Sequence, residues 1–122
     1  MEIYGIGTDI IEIDRIREAI SRTSSFKRKV YTEREIEYIE KKGNPFASFA
    51  GRFAAKEAVS KALGTGVRGF SLNDIEIMND KLGKPVVYLY NEIKEAAKDL
   101  KIHLSISHSR EYAVSTVIIY RG

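Results

Sequence analysis

The chain has 122 residues, a net charge of +3 and no cysteine, with 43% hydrophobic and 30% charged residues. One domain is expected from that length, with about two-thirds of the unfolded surface buried on folding. A disulfide framework, a thiolate metal site and a cysteine nucleophile are excluded. No apolar run approaches the roughly 20 residues of a membrane helix, and Met1–Gly5 reads as no signal peptide, so a cytoplasmic location is expected. The sequence pI of about 9.1 gains meaning from clustering. Arg15, Arg17, Arg22, Lys27, Arg28 and Lys29 fall in a stretch whose one acid is Glu18. Such a segment suits an acidic partner or is a solvated helix face.

Residues 2–12 read as a strand broken by Gly5 and Gly7, which suggests a bulge or a close backbone approach. Residues 13–21 place Ile13, Ile16 and Ile20 at helical spacing. Thr32-Glu33-Arg34-Glu35 is a capping box opening a helix to about residue 41, which Gly43 ends. Residues 46–63 form the strongest helix: Phe46, Phe49, Ala50, Phe53, Ala54, Ala58, Ala62 and Leu63 recur at three and four, and Gly64 is a natural stop. Ile75–Met78 and Val86–Leu89 read as a hairpin. Residues 91–100 read as an amphipathic helix with Ile93, Ala96, Ala97 and Leu100 inward. Ile102–Ser107 alternates as a strand, and Tyr112–Tyr120 is a long β-branched strand. The helices and hairpins interleave without the regular alternation of a parallel sheet, which makes the class α+β.

Four constellations could carry chemistry. Asp9 sits in a glycine-broken apolar strand, where an aspartate needs a cation or donors. It reads as a metal ligand, as a hydrogen-bond acceptor at the strand end or as a helix cap. Glu57 and Lys61 share one face of the long helix, with Arg52 and Lys56 on the adjoining face. They form a surface ion pair or, since Phe53, Ala54, Ala58 and Ala62 border them as buried residues, one wall of a cleft. Gly64-Thr65-Gly66-Val67-Arg68-Gly69 has no P-loop lysine and reads first as a helix stop and flexible loop. Ser105-Ile106-Ser107-His108-Ser109-Arg110 has no nucleophile elbow, yet His108 at a hairpin end could donate to a phosphate. His103 reads as a plain strand-face residue. Two carboxylates from separate elements beside lysine and arginine suit a hard cation with a polyphosphate.

Two segments together carry a resemblance. Gly5-Ile6-Gly7-Thr8-Asp9-Ile10-Ile11-Glu12-Ile13-Asp14-Arg15-Ile16 and Phe49-Ala50-Gly51-Arg52-Phe53-Ala54-Ala55-Lys56-Glu57-Ala58-Val59-Ser60-Lys61-Ala62-Leu63-Gly64 resemble the holo-[acyl-carrier-protein] synthase family, the short bacterial type of 4′-phosphopantetheinyl transferase. Phe26, Arg28, Tyr31, Thr32, Glu35, Asp74–Ile77, Gly83-Lys84-Pro85 and Ser105–Ser109 extend the likeness along the chain. The resemblance implies a single α+β domain over 1–122, antiparallel strands around a long central helix, and a homotrimer with active sites at its subunit interfaces. It implies Mg²⁺-dependent transfer of the 4′-phosphopantetheine arm of coenzyme A to a serine of apo-acyl carrier protein, with release of adenosine 3′,5′-bisphosphate, in support of fatty acid biosynthesis. By motif match Asp9 and Glu57 would hold the metal, and Glu57 and Lys61 would be catalytic. Arg52, Lys61, Gly64, His108 and Ser109 would bind coenzyme A. Arg15, Arg22 and Arg28 would dock the acidic carrier protein. Two other readings are a basic nucleic-acid-binding module, which lacks a recognised motif, and a structural trimer with a dead site, against which the intact Asp9, Glu57 and Lys61 set argues.

Overall fold

A computed structural model describes residues 1–122. It has five strands and five α-helices. Strand β1 (Glu2–Glu12) leads into helices α1 (Ile13–Arg22), α2 (Phe26–Val30), α3 (Glu33–Glu40) and α4 (Pro45–Leu63). The hairpin β2 (Ile75–Asn79) and β3 (Pro85–Leu89) follows, then α5 (Glu92–Ala96), β4 (Lys101–His108) and β5 (Tyr112–Arg121). The strands make two antiparallel sheets, one of order β1-β5-β4 and one pairing β2 with β3. The α+β class expected from the interleaved pattern is what the chain adopts.

Helix α4 is the axis of the molecule. Asn44 caps it by accepting from the Ala47 N–H, and Pro45 occupies the first turn, where its missing N–H costs nothing. Gly64 closes it with φ 65° and ψ −148°, a conformation open essentially to glycine alone. Its small residues Ala55, Ala58, Val59 and Ala62 pack against Ile75, Ile77, Ile93, Val117 and Ile119. Its first half joins Ile13, Ile16, Tyr31, Ile36 and Ile39 in a second cluster.

Strand β1 lies directly on this helix, and its two glycines make that possible. A Cβ on Gly5 would sit 1.9 Å from the Ala62 carbonyl oxygen, and one on Gly7 would sit 2.1 Å from that of Ala58. The register also shifts between Ile3 and Gly5, so the strand has both the bulge and the close approach.

The helices follow the sequence signals with one correction. The capping box on Thr32 is present, and α3 runs over Glu33–Glu40 with Lys41 as its C-cap, as the sequence leads one to expect. The helix expected over 91–100 is one turn, Glu92–Ala96, and Ala96 faces solvent while Ile93 and Ala97 are buried. Helix α2 has no clear periodic signal because it is five residues long; it is held by Phe26, whose ring meets Tyr31 edge-on at 6.5 Å and Phe53 at 6.2 Å. Phe53 is half-buried.

The largest departure concerns charge. Lys56 is fully buried, so it walls no cleft. Its Nζ donates to the Val30 carbonyl and to Glu35 Oε1, both at 2.6 Å, and Glu35 is itself fully buried. Glu35 also accepts from the backbone N–H groups of Thr32 and Ile77. Burial pulls the Lys56 ammonium below its ordinary pKa while Glu35 opposes the shift. The pair joins α2, α3, α4 and β2 at one point, which fixes the rotation of α4 about its axis and thereby the direction of Glu57.

Candidate active site

Asp9 lies on the α4-facing side of β1, opposite Ser115 of β5. Glu57 and Lys61 extend from the adjacent face of α4, one turn apart. Lys61 Nζ donates to Asp9 Oδ1 at 2.8 Å and to the Thr8 carbonyl at 3.1 Å. The Asp9 side chain is 16% exposed and that of Lys61 is 56% exposed, so the ammonium can leave without unpacking anything. Asp9 does not cap α1: Glu12 precedes that helix and makes no side-chain cap.

Glu57 titrates above the ordinary carboxylate range. Burial contributes most, the Asp9 carboxylate adds to it, and the Lys61 ammonium partly offsets it. A carboxylate that burial and a second carboxylate make costlier to ionise marks a locus that favours an added cation. The donors are all oxygen, which suits Mg²⁺, an ion that takes one or two carboxylates and fills its other positions with water and phosphate. The residues present therefore fit that metal.

Farther toward the start of α4 is a cavity of about 690 Å³. Lys42, Arg52, Lys84 and His108 contribute cationic or proton-donating groups to it, and no carboxylate lines it. Such a cavity selects a polyanion. Arg52 is buried, with Nε on the Ile77 carbonyl at 2.9 Å, one terminal nitrogen on Ser48 Oγ at 3.0 Å and the other on Asn79 Oδ1 at 2.6 Å. Each terminal nitrogen keeps a second N–H for a ligand.

The expected site residues thus divide into two places on one helix. Arg52 and His108 face the cavity; Asp9, Glu57 and Lys61 gather at the other end; Gly64 is the stop just beyond Lys61. Ser109 occupies the β4–β5 turn, where its Oγ accepts from the N–H groups of Glu111 and Tyr112. Sequence reasoning gave no role to Lys42 or Lys84. The Gly83-Lys84-Pro85 turn was the available signal, and Lys42 carried none because it lies in an irregular loop.

The basic segment is more neutralised than its sequence suggests. Arg17 pairs with Asp14, Arg22 with Glu18 at 3.9 Å, Lys27 with Glu40, and Arg28 with Glu33. Three of those acids come from outside the segment. Arg15, Glu18, Ala19, Arg22 and Thr23 line a shallow groove on α1.

Comparison with known proteins gives the family of the chain. The family model of the 4′-phosphopantetheinyl transferase superfamily matches residues 5–117. The holo-[acyl-carrier-protein] synthase of Fusobacterium nucleatum is 54% identical over 121 residues, covering 96% of this chain and 98% of that one. That of Clostridium tetani is 56% identical over 120 residues, covering 96% and 95%. Among solved structures, the holo-(acyl-carrier-protein) synthase of Bacillus anthracis in complex with CoA (3′,5′-ADP) superposes with a TM-score of 0.83 at 39% identity, covering 100% of both chains. The Neisseria meningitidis enzyme gives 0.87 at 35% identity, covering 98% of this chain and 99% of the other. By fold, by family match across nearly its whole length and by relatives more than half identical, the chain belongs to the 4′-phosphopantetheinyl transferase superfamily, among the holo-[acyl-carrier-protein] synthases.

Proposed function

We propose that this chain transfers the 4′-phosphopantetheine arm of coenzyme A to a serine of apo-acyl carrier protein, in support of fatty acid biosynthesis, as a Mg²⁺-dependent cytoplasmic homotrimer. The observation that carries the reading is the layout of α4: an acid-free cationic cavity at one end, fit for the phosphates of coenzyme A, and the Asp9–Glu57–Lys61 cluster at the other.

The serine hydroxyl gives its proton to Glu57 or to water, its oxygen forms a bond to the β-phosphorus, the phosphoanhydride bond breaks with its electron pair going to the bridging oxygen, and adenosine 3′,5′-bisphosphate leaves. Arg52, Lys84 and His108 hold the nucleotide end, which supplies the orientation such a reaction needs. Lys61 turns from Asp9 toward the pyrophosphate and stabilises the charge on the leaving group. Gly64 lets the ligand approach the backbone where α4 ends, and Ser109 fixes the turn that carries His108. Mg²⁺, held by Asp9 and Glu57, would neutralise pyrophosphate charge as a Lewis acid. Arg15, Arg22 and Arg28 would steer the acidic carrier protein to the site, raising the on-rate in a salt-sensitive way.

A proton on Glu57 competes with the cation. Because its pKa is raised, that competition begins at higher pH than for an ordinary carboxylate. The Mg²⁺ concentration for half-maximal transfer is therefore expected to rise as pH falls toward the raised Glu57 pKa, approaching about tenfold per pH unit below it. A requirement independent of pH would remove Glu57 from the metal site.

The trimer is supported by the outer face of the three-stranded sheet. Ile6 and Ile10 are 67% and 62% exposed there, and their cross-strand partners are Ile118 and Val114. The isolated chain exposes 7347 Å², against roughly 6,600 Å² for a compact monomer of this mass. Sedimentation at micromolar concentration is expected to give a trimer, and Ile10→Glu to give a monomer; a wild-type monomer would contradict the assembly.

A further inference from the structure

We propose that Asn79 is a positioning residue for coenzyme A: it fastens the β2–β3 turn to Arg52 and so holds Lys84 at the cavity wall. The inference rests on the coenzyme A reading above.

The turn is a preformed unit. Asp80 Oδ1 accepts from the N–H groups of Leu82 and Lys84, both at 2.9 Å. The backbone adds Gly83 N–H to the Asp80 carbonyl at 3.0 Å and Asp80 N–H to the Lys84 carbonyl at 2.9 Å. Gly83 has φ 89°, which the tight reversal requires. Little packs on this unit: Leu82 at its tip is 95% exposed, and a Cβ on Gly83 would meet nothing within 4 Å. Its internal bonds keep its shape but do not aim it.

Asn79 does the aiming. Its Nδ2 donates to the Gly83 carbonyl at 2.9 Å, and its Oδ1 accepts from Arg52 at 2.6 Å. Arg52 is anchored in turn to Ser48 on its own helix and to the Ile77 carbonyl on β2. No other hydrogen bond joins the turn to α4. A side-chain amide suits the place because it donates and accepts at once; an aspartate would set a carboxylate against a carbonyl oxygen. Two cationic residues from separate elements, Arg52 and Lys84, thereby share one bracket. Without it the turn that carries Lys84 is free to swing relative to α4, and a cation displaced by an ångström or so loses much of its value to a phosphate.

A double-mutant cycle on ligand affinity tests this. Calorimetry with adenosine 3′,5′-bisphosphate is expected to show binding weakened about five- to tenfold by Asn79→Ala and by Lys84→Ala, and the double variant no more than about twofold weaker than Lys84→Ala. Transfer by Asn79→Ala is expected to show KM for coenzyme A raised by a similar factor, with kcat at saturation unchanged within about twofold. Should Asn79→Ala prove unstable, Asn79→Leu repeats the cycle with a side chain of similar size that makes neither hydrogen bond. Effects that multiply in the double variant, or unchanged affinity in Asn79→Ala, would overturn the positioning role while leaving the transferase reading intact. A wild-type protein that binds neither coenzyme A nor the bisphosphate would overturn both.

Discussion

Replacing Asp9 by Asn or Glu57 by Gln is expected to lower transfer by at least about a hundredfold while the protein stays folded. Both substitutions keep size and shape and remove one negative charge. The Asp9–Lys61 pair they disturb is largely open to water on the lysine side, and such pairs contribute about 0–1 kcal/mol. Glu57 is only half-buried and makes no hydrogen bond that anchors α4 to another element. The melting temperature should therefore change by no more than a few degrees. Added Mg²⁺ should raise the melting temperature of the wild type and leave that of either variant unmoved. If both variants retain Mg²⁺-dependent transfer, the two carboxylates are not the metal site.

Gly7→Ala is expected to cost more than about 3 kcal/mol, a fall of about 10 °C or more in melting temperature, or to prevent folding. The new Cβ would lie 2.1 Å from the Ala58 carbonyl oxygen, 3.0 Å from its carbon and 3.1 Å from the Ala62 nitrogen. All three are backbone atoms of a helix buried in the core, so no rotamer change relieves the overlap. Relief requires β1 to lift from α4. Asp9 is two residues along the same strand on the same face, so lifting the strand also separates Asp9 from Glu57 and Lys61. Any Gly7→Ala protein that folds should thus lose transfer as well. A variant with an unchanged melting temperature and full activity would contradict the strand-on-helix contact. Gly51 makes a useful contrast: a Cβ there would meet the Ile106 side chain at 2.8 Å, a contact a side chain can yield.

What could be read in the sequence follows from how local each signal is. The strands β4 and β5, the capping box on Thr32 and the span of α4 rest on periodicity or on residues three apart, and all appear in the structure. The glycines of β1 pointed to a close approach, though not to what is approached. Lys56 and Glu35 were invisible as a buried pair because they lie 21 residues apart in the chain and each looks like an ordinary surface charge. Ile6 and Ile10 belong to the apolar pattern of β1, yet both are exposed on the outer face of its sheet, and the pattern alone does not tell an outer apolar face from a core one. Among the site residues, Asp9 stood out because a carboxylate in an apolar strand is out of place, whereas Glu57 and Lys61 read equally as a surface ion pair and joined Asp9 as a set through the family resemblance. The cavity did not, since Lys42 and Lys84 come from irregular loops and converge only after α4 and the hairpin have packed. Asn79 is harder still to see: its role lies in two hydrogen bonds, neither of which leaves a periodic trace.

The most direct test is intact-mass spectrometry of an apo-acyl carrier protein incubated with this protein, coenzyme A and Mg²⁺. The expected result is a gain of one phosphopantetheine arm on the carrier, abolished by a chelator and restored by excess Mg²⁺. No gain on any of several apo-carrier proteins, with the protein folded and Mg²⁺ present, would contradict the proposed transfer.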